Sequence, residues 1–138
     1  MRLTLLSCIL LISCSNPREP NWLECALITT DAGSKEIDKH KEFYIVNFAS
    51  QTLYYYVPDT RQVIGPMKDV SFWSPDLINQ NVEVSAANFV TNKVLRINLK
   101  SMEIVNRLDT TGTGFNSGSS THSVMGGTCK WIYPLQVG

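Results

Sequence analysis

The sequence is low in charge, and neither sign is in excess. Charged residues make up 17% of the chain, and 12 Lys and Arg residues balance 12 Asp and Glu residues. Proteins that bind nucleic acid usually carry a basic face or segment that neutralises phosphates, and no basic run occurs here. We therefore expect no nucleic-acid partner.

Histidine and cysteine are also scarce, with two His and four Cys residues and no C-x-x-C pair. Structural zinc sites need closely spaced Cys and His ligands, so we expect no metal. The pair Gly112-x-Gly114 is not followed by the Lys-Ser/Thr that a phosphate-binding loop requires, so we expect no nucleotide or other cofactor. A nucleophile elbow of the form G-x-S-x-G is missing as well.

A hydrophobic run, Leu3 to Ile12, follows Met1 and Arg2 at the start of the sequence. A bilayer-spanning helix needs about 20 apolar residues, so this run is too short to cross a membrane. Its length is typical of the hydrophobic region of a signal peptide, roughly 7–15 residues. We expect residues 1–13 to be a cleaved signal peptide.

The run ends in Leu11-Ile12-Ser13-Cys14, which resembles the lipobox of bacterial lipoprotein precursors. The resemblance implies cleavage between Ser13 and Cys14, and attachment of a diacylglyceryl group to the Cys14 thiol. Two or more acyl chains hold a protein stably on a membrane. Two alternatives stay open: Leu5-Leu6-Ser7-Cys8 as the lipobox, and an ordinary secretory signal that leaves Cys14 unmodified.

Residues 14–24 are then a lipidated tether that holds the domain near the membrane. Ser15, rather than Asp, follows Cys14, which resembles outer-membrane sorting in Gram-negative members of the lipoprotein family. We expect an exported protein that is anchored by lipid, at the outer membrane, and that faces the periplasm or the cell surface.

Cys25 and Cys129 remain once the signal peptide is removed and Cys14 is lipidated. An even number of cysteines in an exported protein predicts a disulfide, which here would join the first and last elements of the domain. The alternative is two independent buried thiols.

Residues 25–138 are predicted to form an all-β domain, a single small antiparallel sandwich or barrel of about seven to eight short strands. Sustained 3.6-residue periodicity is missing, and short β-branched and aromatic runs alternate with turn residues. The strands are expected at 42–48, 52–57, 70–73, 82–90, 94–99, 103–108 and 129–133. Thr91-Asn92 is an expected turn, residues 31–42 a solvated loop or short helical turn, and the Gly-, Ser- and Thr-rich segment 110–127 a flexible loop.

Six residues are candidates for a binding surface. Tyr and Trp are enriched at recognition surfaces because they offer large contact areas at low entropic cost. Successive side chains of a strand point to opposite faces, so at least one of three consecutive tyrosines is expected to be exposed. The candidates are Tyr54, Tyr55, Tyr56, Trp73, Phe115 and His122. The alternative is that they are ordinary half-exposed residues of a sheet and its loops.

These features predict a lipid-anchored envelope protein that acts as a non-catalytic binding or inhibitor module, with an envelope protein or a glycan as its partner. Small lipoprotein lysozyme inhibitors are similar in plan, with a lipidated Cys, a short β-barrel and a disulfide that links the ends. One alternative is a small envelope hydrolase that uses His122 with a loop serine, although no set of nucleophile, base and orienting group can be assigned. Another is a structural subunit of an envelope complex.

Overall fold

The computed structural model describes residues 21–30 and 36–135, which form one antiparallel sheet of nine strands and a short 3₁₀ turn at Gly114–Asn116. In chain order the strands are β1 (Asn21–Thr30), β2 (Glu36–Asn47), β3 (Thr52–Val57), β4 (Gln62–Ile64), β5 (Val70–Ser74), β6 (Leu77–Ala86), β7 (Phe89–Asn98), β8 (Glu103–Gly112) and β9 (Ser120–Ile132). The all-β prediction is confirmed, with nine strands in place of the expected seven to eight.

The sheet is a meander whose first strand lies in the middle. The order across the sheet is β4-β3-β2-β1-β9-β8-β7-β6-β5, so β4 and β5 are its edges and the sheet is not closed into a barrel. The backbone N–H of Met67 donates to the carbonyl oxygen of Leu53 at 2.8 Å, which ties the segment before β5 to β3. The sheet therefore curls round its main core until its two ends approach each other.

Alternation along the strands gives the sheet an inner face, which encloses this core, and an outer face on the opposite side. The largest fully buried side chains all lie on the inner face and come from six strands: Leu23, Cys25, Leu27, Tyr44, Val46, Leu53, Ile78, Leu95, Ile97 and Ile104. Burial of a large aliphatic side chain stabilises a fold by about 1.5–3 kcal/mol. The inner face therefore supplies most of the hydrophobic stabilisation.

The expected disulfide between Cys25 and Cys129 is present. The two cysteines lie directly opposite each other on β1 and β9, the two neighbouring strands at the centre of the sheet. The bond links residues that are 104 positions apart in the chain. It therefore joins the first and last strands of the domain, as the cysteine count predicts.

One turn and one predicted loop differ from the prediction. The hairpin between β6 and β7 turns at Ala87 and Asn88, and Thr91 and Asn92 lie inside β7. The prediction placed the turn wrongly because Thr and Asn are common turn residues, but here both are ladder residues that pair with β6 and β8. Residues 36–42, expected in a solvated loop or short helical turn, belong to β2 and pair with β1, with a register shift at Ile37.

The segment 110–127 is also different from the predicted flexible loop. β8 continues to Gly112 and β9 begins at Ser120, so only the short stretch between them, with its 3₁₀ turn, connects the strands. Both faces of the sheet are partly exposed to solvent in this part, so Ser and Thr can occupy positions on either face. Because such a strand has no hydrophobic alternation, the sequence pattern does not mark it.

The predicted signal peptide, with its Ser13–Cys14 cleavage site and the lipidation site Cys14, lies outside the described residues. β1 begins at Asn21, so the sheet includes the last residues of the predicted tether. No helix within the described ranges is long and apolar enough to cross a membrane.

Candidate functional site

A groove of about 440 Å³ lies on the outer face of the sheet, across β5, β6, β7 and β8. It is lined by the side chains of Trp73, Asn79, Asn81, Val94, Arg96, Val105 and Arg107, and we call this set the groove. Strand register brings these residues together in two adjacent rows. One row contains Asn79, Arg96 and Val105, and the other contains Asn81, Val94 and Arg107.

Trp73 forms one wall of the groove because the pairing of β5 with β6 is irregular beside it. The register shifts between Phe72 and Ser74, so that Trp73 has no partner in the ladder. Its side chain is 59% exposed, and the guanidinium carbon of Arg96 lies 5.2 Å from the centroid of its ring. This cation–π contact holds the Arg96 guanidinium beside the indole, at the opening of the groove.

Asn79 lies in the wall of the groove and is only 8% exposed. The oxygen of its side-chain amide, Oδ1, has no hydrogen-bond partner among the described residues. A buried polar atom without a partner is destabilising by about 1–3 kcal/mol, and such atoms are uncommon in folded proteins. Asn79 therefore brings an unsatisfied acceptor to the wall of the groove, although the oxygen itself is covered, and Gln80 and Asn106 carry similar unsatisfied oxygens on the inner face.

The two arginines of the groove differ in their charge balance. The Arg107 Nε lies 2.8 Å from Oδ2 of Asp109, and the other oxygen of that carboxylate is bonded to Nδ1 of His122. The bond from His122, together with Arg107, holds the pKa of Asp109 below its usual range. Arg96 contacts the Trp73 ring, and no carboxylate of the described chain lies within salt-bridge distance of it. The groove therefore has an excess of positive charge at Arg96.

His122 lies on the outer face of β9, opposite Asp109 of β8. The hydroxyl of Ser119 donates to the carbonyl oxygen of Asn116 at 2.7 Å, and Ser123 points to the inner face. Within residues 36–135, no hydrogen bond joins His122 to a serine. The arrangement supplies an oriented imidazole, through Asp109, but it does not place a nucleophile beside that imidazole.

The other candidates for a binding surface lie apart from the groove. Tyr54 and Tyr56 are on the outer face of β3, whereas Tyr55 is on the inner face. Tyr56 is 2% exposed and packs edge-to-face on Trp22, with 5.0 Å between the ring centroids. Phe115 is fully exposed in the 3₁₀ turn between β8 and β9. Of the six candidates, the structure places Trp73 in the groove and links His122 to it through Asp109.

A second depression, of about 500 Å³, lies over β1, β2 and β9. Its charges are balanced by short ion pairs: Glu24 lies 3.2 Å from Lys41 and 3.3 Å from Lys130, and Lys39 lies 3.1 Å from Glu36. Burial raises the pKa of Glu24, but its bonds to the two lysines outweigh this effect and leave the pKa below its usual value. Balanced charges and the lack of an aromatic wall make this depression the weaker candidate.

A chain of polar side chains also follows β2 on the inner face. The hydroxyl of Tyr44 donates to Glu42, and the His40 ring lies 3.3 Å from Glu42 and 3.4 Å from Asp38. Burial, and next the charge of Glu42, raise the pKa of Tyr44 far above its ordinary value and also raise that of Tyr55. No cluster of three or more His, Cys, Asp or Glu residues in the described part of the chain is arranged to hold a metal.

Sequence reasoning missed Asn79 and Arg96 because it placed the turn between β6 and β7 wrongly, and it missed Arg107 because no motif marks that residue. A two-residue turn at Thr91-Asn92 pairs Val90 with Lys93 and separates Asn79 from Arg96, whereas the observed turn makes these two residues direct partners. Asn88 next to the β-branched and aromatic start of β7 is the signal that locates the turn correctly.

Comparison with known proteins adds no further assignment: no protein-family model, no curated protein and no solved structure matches the chain.

Proposed function

We propose that this protein is a lipid-anchored, non-catalytic module of the cell envelope, and that it binds its partner through the groove. The observation that carries the proposal is the unsatisfied, buried Oδ1 of Asn79 in the wall of a groove that also presents an exposed tryptophan and an arginine without a carboxylate partner. Exposed Trp and Arg are the residue types most enriched among those that dominate binding energy. The anchor rests on the lipobox-like sequence at Cys14.

The composition of the groove favours binding over chemistry. Its polar groups are amides and guanidinium groups, which donate and accept hydrogen bonds but do not act as nucleophiles or as bases at neutral pH. Arg107 is held by its ion pair to Asp109, and Arg96 by the Trp73 ring, so both cations are oriented before a ligand arrives. Preorganised groups lose less entropy on binding, which raises affinity.

The proposal is tested by saturable binding of the full-length protein to envelope fractions, with the glycan and protein fractions measured separately. The double variant Trp73→Ala with Arg96→Gln should lose most of this binding because it removes the wall and the free charge of the groove. Phe115→Ala and Arg61→Gln are the matched controls, since each changes an exposed residue of the same type elsewhere.

Binding that survives the double variant but is lost in Phe115→Ala would move the site to the turn between β8 and β9. No saturable binding by the unmodified protein to either fraction would overturn the proposal. Stable copurification with one stoichiometric envelope protein, unaffected by the double variant, would instead favour a structural subunit of a larger complex.

The bond between His122 and Asp109 is the observation that favours the second candidate, an envelope hydrolase. This function requires a serine to approach His122 when substrate binds, and Ser120 is the nearest along the outer face of β9. A serine-directed activity probe should then label Ser119, Ser120 or Ser123, and His122→Ala should abolish the labelling without a change in thermal stability. Unlabelled protein excludes this candidate.

A further inference from the structure

We infer that the ligand of the groove is a sugar that carries a carboxylate group. This inference rests on the proposed function and specifies the class of ligand at the same site. It follows from three properties of the groove: which backbone groups are free, which hydrogen-bond types are unsatisfied, and which charge is in excess.

The floor of the groove offers no backbone hydrogen bonds. Asn79 of β6 lies between its ladder partners Ser71 and Arg96, and Arg96 in turn lies between Asn79 and Val105. β6, β7 and β8 are interior strands, so their backbone N–H and C=O groups are used within the sheet. Extended peptides that bind to sheets add to an edge and depend on main-chain hydrogen bonds. A ligand on the floor of the groove, which β6, β7 and β8 form, must instead be recognised through side chains.

The side chains of the groove suit a sugar ring. The amides of Asn79 and Asn81 can both donate and accept hydrogen bonds, as sugar hydroxyls do. The exposed ring of Trp73 and the side chains of Val94 and Val105 offer apolar surface to the C–H groups of a pyranose. The volume of about 440 Å³ falls in the range of small-molecule sites, roughly 300–1,000 Å³.

Two features together favour a ligand that carries both a hydroxyl and an anionic group, and the shape of the guanidinium suits a carboxylate. Oδ1 of Asn79 is an acceptor, so it needs a donor, which a hydroxyl supplies and a fully ionised phosphate or sulfate does not. Arg96 has no carboxylate partner within the described chain, so it needs an anion, which a neutral sugar does not supply. A guanidinium group matches a carboxylate in shape and can bind it through two parallel hydrogen bonds. A sugar acid supplies both groups on one ring.

The test is calorimetric titration of the full-length protein with oligosaccharides that contain uronic, muramic or sialic acid. Each acid is compared with its own methyl ester, which keeps the ring and its hydroxyls but removes the charge. We expect at least one acid to bind, and to bind roughly 10- to 100-fold more weakly as its ester, the range for a hydrogen bond to a charged group. Arg96→Gln should cause a similar loss for the acid and little change for the ester, with Arg61→Gln as the control.

Asn79→Leu separates recognition from a structural role. This variant keeps the approximate volume but removes the unsatisfied oxygen, so the midpoint of urea unfolding should stay unchanged or rise while affinity for the acid falls roughly 2- to 10-fold. A fall in both stability and affinity would mean that Asn79 supports the sheet, which contradicts the assignment.

Three results would overturn the inference. The first is equal affinity for the acid and its ester, and the second is equally effective competition by inorganic phosphate. The third is that no acid binds while the envelope fractions still bind through Trp73 and Arg96, which would leave the proposed function in place and exclude only this class of ligand. If the protein bound neither the sugar acids nor the envelope fractions, both this inference and the proposed function would be excluded.

Discussion

Two tryptophans on the outer face of one sheet have opposite surroundings. Trp22 of β1 is 7% exposed and packs with Ile45 and Tyr56, a set that we call the aromatic cluster. Trp73 of β5 is 59% exposed, and its ring contacts the guanidinium of Arg96. The difference comes from the neighbouring strands, which present apolar side chains beside Trp22 and amides and arginines beside Trp73. The same residue type therefore stabilises the fold in one place and is available for recognition in the other.

The largest expected effect comes from the disulfide, which lies between the half of the sheet that contains Trp22 and the half that contains Trp73. The disulfide joins β1 to β9 at the boundary between these halves. Replacement of both cysteines, Cys25→Ala with Cys129→Ala, should lower the free energy of unfolding by about 4–5 kcal/mol, because the bond closes a loop of 104 residues. Urea titration measures the change. A loss below about 1 kcal/mol would show that strand pairing alone holds the halves together.

The comparison itself is tested by truncating each tryptophan. Trp22→Ala should lower the free energy of unfolding by about 3–5 kcal/mol, since it leaves a cavity against Tyr56 and Ile45. Trp73→Ala should change it by less than about 0.5 kcal/mol, as for other surface substitutions, but should weaken binding to the envelope fractions. Urea unfolding of both variants measures the two changes in free energy. Equal losses of stability would mean that Trp73 is structural and that the comparison is wrong.

Two adjacent glycines of β9 also differ in their surroundings, and a single added methyl group tests the difference. A Cβ on Gly127, on the inner face, would lie 1.9 Å from the carbonyl oxygen of Ala26, whereas a Cβ on Gly126, on the outer face, would meet nothing within 4 Å. Gly127→Ala should therefore lower the free energy of unfolding by about 3 kcal/mol, the upper range for overpacking. Gly126→Ala is the matched control and should be nearly neutral. Thermal or urea unfolding distinguishes them.

The smallest effect concerns the pH dependence of the inner face. Burial and the nearby Glu42 raise the pKa of Tyr44, so the folded protein keeps this proton at pH values where the unfolded chain, with a pKa of about 10, releases it. The stabilisation is complete below about pH 10 and is lost as the pH rises further, by up to about 1.4 kcal/mol per pH unit. The free energy of unfolding, measured between pH 8 and 11, should fall less steeply with pH for Tyr44→Phe than for the unmodified protein. Parallel curves for the two proteins would contradict the assignment.

The sequence predicted several strands that have a local hydrophobic signal, but it missed β1, in which Leu23, Cys25 and Leu27 alternate on the inner face. Alternating apolar residues located the second half of β7, β-branched and aromatic residues located β3, and the cysteine count located the disulfide. The polar ends of β8 and β9 have no such signal, because both of their faces are partly exposed to solvent and Ser or Thr can occupy positions on either face. These strands form because their backbones complete a ladder with neighbours that are distant in sequence.

The groove could not be predicted for a related reason. Its members come from four strands, and none of them stands out alone: Trp73 was a candidate, whereas Asn79 and Arg96 are ordinary residues of polar strand positions. They are brought together by register, which a single misplaced turn changes for a whole hairpin. Residues of this kind can be identified from the fold but not from a sequence motif.

The position of β1 at the centre of the sheet has a consequence for the order of folding. β2, β3 and β4 can pair by short hairpins, as can β5 to β9, but β1 finds its second partner only in β9, at the far end of the domain. Pairs so distant in sequence form slowly, because a long loop must close before any contact compensates for the lost chain entropy. A chain that is synthesised from its N terminus leaves one edge of β1 open until nearly the whole domain has been made, and such an edge is a template for aggregation. The pairing of β1 with β9 is thus the step that removes this open edge.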